Sequence, residues 1–102
     1  MPVTMVTLAR LAPGGEAHYQ RYGEGVLPLL TACGARVRER LQGGETLVGE
    51  DAPDLVPDLV AVIEFPDQAT MRAFLASDAY AACLPHREAA FAWLVSFAAE
   101  GF

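Results

Sequence analysis

Three segments of this chain carry apolar or β-branched residues on both parities, the pattern of strands covered on both faces rather than one. In Val3–Leu11, Val3, Met5, Thr7 and Ala9 oppose Thr4, Val6 and Leu8. In Leu59–Phe65, Leu59, Ala61, Ile63 and Phe65 oppose Val60, Val62 and Glu64, and Phe91–Phe97 is rich in aromatic and β-branched residues. Between them the period changes. After Pro13-Gly14-Gly15, the residues Tyr19, Tyr22, Val26, Leu29, Leu30 and Cys33 recur at spacings of three and four, predicting a helix over Gly15–Ala32 that Gly34 stops. Pro28 lies inside that span, where it deletes a backbone bond and is expected to bend the last turn.

A second strand is predicted where Ala35–Leu41 alternates, with Arg36, Arg38 and Arg40 on one face. A long connection comes next, punctuated by Gly43-Gly44 and Gly49–Asp54, with Thr46, Leu47 and Val48 able to pair briefly between them. Asp67 is placed to cap a helix carrying Ala69, Met71, Phe74 and Leu75, and Ser77 to cap a shorter piece, Asp78–Leu84, that Pro85 ends. Arg87–Ala92 is able to prolong a helix before the last strand.

The resulting order, strand, helix, strand, strand, helix, strand, predicts an α+β fold, the ferredoxin-like βαββαβ sandwich: a four-stranded antiparallel sheet with two helices on one face. Two helices cover only one side of a sheet. With 53% of 102 residues hydrophobic, the uncovered side of the first, third and fourth strands would be a large apolar patch. A homodimer packing sheet on sheet removes it, and the sequence leaves open which parity of the third strand meets the partner. The length predicts a single domain over residues 1–102.

Charge and motifs narrow the partners. Thirteen acids against seven bases leave a net charge of −6, which argues against nucleic acid and anionic membranes. No apolar run approaches a membrane span. The opening Met1-Pro2-Val3-Thr4 has no basic region followed by an apolar one, which predicts a cytoplasmic protein with Cys33 and Cys83 as reduced thiols. The two histidines and two cysteines stand at no metal-ligand spacing, and Pro13-Gly14-Gly15 lacks the lysine and further glycines of a phosphate loop. No metal and no cofactor are therefore predicted.

The residues Tyr22, Val26-Leu27-Pro28-Leu29-Leu30, Gly34-Ala35-Arg36, Arg40, Asp58–Asp67, Phe74, Ser77-Asp78-Ala79-Tyr80 and Arg87 resemble a family. It comprises small uncharacterised, domain-of-unknown-function proteins of the dimeric α+β barrel superfamily, related to antibiotic-biosynthesis-type monooxygenases and muconolactone isomerases. The most specific part is Glu64-Phe65-Pro66 with Ser77-x-x-Tyr80 and Arg87. The chain departs from the pattern at Ala35, where a second glycine is usual, and at Leu41-Gln42, which delays the glycine pair. The resemblance implies a homodimer whose two sheets form a barrel, with a small-molecule cleft between sheet and helices in each subunit. It implies no particular reaction.

Several side chains are candidates for that cleft. The three arginines either converge on an anion such as a carboxylate or form a cross-strand ladder with Asp58 or Glu64. Glu64, on an otherwise apolar strand, is either a general base with a raised pKa or an ion-pair partner of Arg36 or Arg38. Tyr80, His86 and Arg87 either orient a polar ligand or, for Tyr80 and Arg87, tie helix to sheet; His86 is expected in solvent beside Pro85. Tyr19 and Tyr22 either line the mouth of a pocket or belong to the core. Ser77 lacks the neighbouring base that a nucleophile needs and reads as a cap.

Together these predict a homodimer binding a small metabolite, an anion among the candidates, through Arg40, Tyr22, Tyr80 and Arg87. The alternative is a cofactor-independent monooxygenase or isomerase acting on a small organic acid or aromatic compound, with Glu64 or His18 as the catalytic proton-transfer group.

Overall fold

The structure is a computed structural model and describes residues 1–101. Strand β1 (Val3–Leu11) leads through a Gly14 turn into helix α1 (Glu16–Ala32) and then strand β2 (Arg36–Gln42). After the 43–58 arm come strand β3 (Leu59–Phe65), helices α2 (Gln68–Ala76), α3 (Asp78–Ala81) and α4 (Leu84–Ala90), and strand β4 (Phe91–Ala99). The sheet order is β2-β3-β1-β4, antiparallel throughout, the four-stranded ferredoxin-like α+β arrangement that the period changes predict.

The local signals act as their chemistry requires. Asp67 accepts from the Thr70 amide at 2.7 Å and Ser77 from the Tyr80 amide at 3.1 Å, so each caps the helix after it. Gly34, at φ +82°, closes α1: its amide meets the Thr31 carbonyl and that of Ala35 meets Leu30, the paired bonds of a left-handed helix stop. Helix α1 continues through Pro28, whose ring points outward; the one bond it removes is that to the Glu24 carbonyl.

Three expectations are corrected. Pro85 does not end the helical region; it opens α4, where its missing N–H costs nothing. Thr46, Leu47 and Val48 form no strand, and the arm instead makes one 3₁₀ turn at Pro53–Leu55. Arg36, Arg38 and Arg40 do not share a face. Register shifts between Val37 and Glu39, so Arg38 is an extra residue in β2 and every later side chain changes sides.

One face of the sheet is packed. Met5, Ile63 and Phe65 meet Val26 and Leu30 of α1, Met71 and Phe74 of α2, Tyr80 of α3 and Cys83, with Phe65 wholly enclosed. The Cα trace is only 17 Å deep, room for a sheet and one helix layer. On the other face lie Val6, Leu8, Val60, Val62, Val95 and Phe97, the last two about half exposed at 51% and 45%. The arm reaches back to one end of this open face, where the Arg10 guanidinium donates to the Pro53 carbonyl and the Trp93 indole to the Asp54 carbonyl at 3.0 Å. On β3 the even-numbered residues are those turned away from the helices.

Candidate functional site

Strand β4 is an edge strand, and the helix layer stops short of it. Leu94 and Ser96 of β4 point to the helix side, as their partners Ala9 and Thr7 do, yet Ser96 stays exposed. Between β4 and the helices opens a cleft of about 400 Å³ lined by Leu75, Tyr80, Arg87, Glu88, Phe91, Leu94 and Ser96. That volume falls in the range of small-molecule sites. Leu75, Phe91 and Leu94 make its lining part apolar; Tyr80, Arg87, Glu88 and Ser96 add a phenol, a guanidinium, a carboxylate and a hydroxyl. Ser96 Oγ, in the lining, shares a hydrogen bond of 2.7 Å with Thr7 Oγ1 on the neighbouring β1.

The polar end is a chain of three side chains. Arg87, on α4, donates from Nη1 to the Tyr80 hydroxyl at 3.0 Å and lies 5.9 Å from the centre of that ring. The Tyr80 hydroxyl meets that of Tyr22, on α1, at 2.9 Å. Helix caps set this up: Ser77 starts α3 so that Tyr80 falls in its first turn, and α4 presents Arg87 one helix further along. Burial above all, and then the bond with Tyr80, push the Tyr22 hydroxyl well above the usual tyrosine range, while the Arg87 charge pulls the other way. Tyr22 is thus held as a neutral phenol.

The structure brings Tyr80 and Arg87 to the cleft, with Tyr22 behind them as support. It does not bring the other candidates there. Glu64 lies on the open face, bonded to Arg36 at 3.2 Å and Arg38 at 3.4 Å, the ion-pair alternative, with both arginines well exposed. Arg40, moved to the helix side by the bulge, donates to the Tyr19 hydroxyl at 3.1 Å from the far edge strand. Asp58 pairs with no arginine; it accepts from the Leu11 amide at 2.8 Å. His18 sits between α1 and α4 with its ring 5.9 Å from that of His86, which is half-buried rather than in solvent. Ser77 is a cap and nothing more.

Sequence reasoning missed Glu88, Ser96 and the apolar lining residues Leu75, Phe91 and Leu94. Ser96 is the polar residue of an otherwise apolar strand, a signal that gains its partner Thr7 only once the β1–β4 register is known. Among the described residues no cluster of three or more metal-binding side chains exists. Among them, too, no helix is long and apolar enough to cross a membrane.

A family model described as a domain of unknown function, DUF1330, matches residues 7–101. A protein of unknown function from Rhodopseudomonas palustris superposes with a TM-score of 0.85 at 25% identity, over 99% of this chain and 82% of that one. A dimeric ferredoxin-like protein of unknown function from Jannaschia gives 0.70 at 11% identity, over 99% of this chain and 100% of that one. A dimeric protein of ferredoxin-like fold from Bacteroides fragilis gives 0.64 at 13%, over 98% of this chain and 96% of that one. No curated protein matches the chain.

Proposed function

Because the chain belongs to the DUF1330 family, a domain of unknown function, we propose its function from its own geometry: a single-domain homodimer that binds a small anionic metabolite in the cleft between helices and β4. The observation that carries this reading is the Arg87–Tyr80–Tyr22 chain ending at a cleft whose lining is otherwise largely apolar, from Leu75, Phe91 and Leu94. A guanidinium beside a low-polarity wall favours a carboxylate with a hydrocarbon body. Glu88 on the same rim repels a second negative charge, so the ligand is a monoanion. Arg87 and Tyr80 contact it and Tyr22 positions Tyr80.

The dimer half of the reading rests on the open face. Two rows of side chains, Val62–Val6–Phe97 and Val60–Leu8–Val95, run across three strands on the side away from the helices. A patch of this kind is rare on a monomer, and two of the solved neighbours are described as dimeric. The test of the ligand is thermal stabilisation by small aryl carboxylates in wild type and Arg87→Gln. Ligand at one hundred times its Kd stabilises wild type by about 2.7 kcal/mol. Equal stabilisation of Arg87→Gln refutes the site.

A further inference from the structure

We infer that the 43–58 arm is the clasp of the homodimer: the acidic arm of each subunit lies against the Arg36–Arg38 end of the second copy's sheet, with the two-fold axis running across the strands. This rests on the sheet-on-sheet dimer proposed above and adds to it which end of one sheet meets which end of the other.

The two ends of the open face differ in charge. The arm holds Glu45, Glu50, Asp51, Asp54 and Asp58 and no base. It is fastened on the open-face side, where its Pro53 and Asp54 carbonyls accept from Arg10 and Trp93, side chains of the same parity as Leu8 and Val95. At the opposite end Arg36 and Arg38 share the single carboxylate of Glu64, and their side chains remain 70% and 51% exposed. Glu39, opposite Val62, is the other acid on that half, so guanidinium and carboxylate groups balance there.

The arm itself is bare. Leu47 and Val48 are 81% and 90% exposed, and Leu55, next to Asp54, is 75% exposed. These apolar side chains belong to the segment that borders the open face, so a partner that covers the face has reason to extend over its border.

Aligned sheet-on-sheet packing keeps the strands of the two subunits roughly in line, and a two-fold axis makes both subunits use the same surface. Two arrangements satisfy this. With the axis along the strands, like ends adjoin, and the five acids of one arm face the five of the other. With the axis across the strands, unlike ends adjoin, and each arm meets Arg36 and Arg38 of the second copy. No arm reaches the arginines of its own subunit, which lie about 20 Å away along β3 (Leu59–Phe65). Facing like charges weaken an interface and facing opposite charges fix its register, which selects the second arrangement.

The experiment is sedimentation velocity of the full chain at low salt and in about 1 M salt. Asp51→Lys with Asp54→Lys, at two exposed positions, is expected to raise the dimer Kd about tenfold at low salt. Arg36→Glu with Arg38→Glu is expected to do the same. All four substitutions together restore the opposite charges and bring Kd back to within about threefold of wild type. In about 1 M salt every variant lies within about twofold of wild type. In the other arrangement the lysine variant relieves repulsion between the arms and binds tighter than wild type, so the sign of its effect separates the two. Far-ultraviolet circular dichroism checks that each variant is folded.

A lysine variant that associates as tightly as wild type or more tightly, or a fourfold variant no tighter than the two double variants, overturns the inference. The sheet-on-sheet dimer still stands in that case if Val6→Asp dissociates it. A monomeric wild type, or a Val6→Asp protein that associates as tightly as wild type, overturns the dimer and the inference with it.

Discussion

Replacing Val6 by Asp places a carboxylate at the middle of the open face. Val6 lies directly opposite Val62 on β3 and Phe97 on β4, and no charged side chain is among these cross-strand neighbours. In a lone subunit the new charge faces water, so folding loses only about 1 kcal/mol, the span of strand preferences. In a sheet-on-sheet dimer it is buried without a partner, at about 3–5 kcal/mol per charge. A two-fold interface contains the substitution twice. Even one charge at the lower bound raises the dimer Kd about 100-fold, and two raise it by about four decades or more. Sedimentation velocity at micromolar concentration reads the outcome: a wild-type dimer, a Val6→Asp monomer, and unaltered far-ultraviolet circular dichroism in both. Ala73→Asp, on the exposed side of α2, leaves the dimer intact. A monomeric wild type, or a Val6→Asp protein that associates as tightly as wild type, refutes the assignment of this face.

A Cβ on Gly25 would stand 2.8 Å from Cys83 Sγ, so Gly25→Ala lowers stability by about 1–2 kcal/mol despite the better helix former, measured by urea unfolding. In a Cys83→Ala background the same change becomes stabilising; persistence of the loss there refutes the clash. The Asp67 carboxyl is held below its ordinary value near 3.8, first by the Thr70 amide bond. Its contribution is therefore full above that ordinary value and disappears as pH falls through the lowered folded one. Asp67→Asn should flatten the acid limb of Tm against pH, and an unchanged limb contradicts the cap. Glu64→Gln removes two ion pairs to exposed arginines and costs less than about 1 kcal/mol, vanishing in molar salt. A larger, salt-independent loss would show that Glu64 does more than pair.

The elements were legible because each announces itself locally. The parities of β1, β3 and β4, the Asp67 and Ser77 caps and the Gly34 stop depend on neighbours within a few residues, and these stand where the pattern puts them. Pro85 misled because a proline is compatible with either end of a helix, and the residues after it decide between them. The arginine stripe misled because strict alternation assumes an unbroken ladder, whereas one extra residue at Arg38 reverses the rest of β2. Tyr80 and Arg87 were legible as cleft residues. Ser96 and Glu88 were not, because the cleft they line exists only once β4 and the helices are placed.

What the sequence alone determined is the set of periods and punctuation marks: an α+β chain, ferredoxin-like in order, with more apolar strand surface than its helices can cover. Periodicity is a property of consecutive residues, so it survives without knowledge of contacts. Which face is bare, which arginine turns towards the helices, and whether the Tyr80 hydroxyl meets Tyr22 and Arg87 were decided by register and helix placement. Those depend on contacts between residues as distant as Tyr22 and Tyr80, and such contacts exist only once the chain has packed.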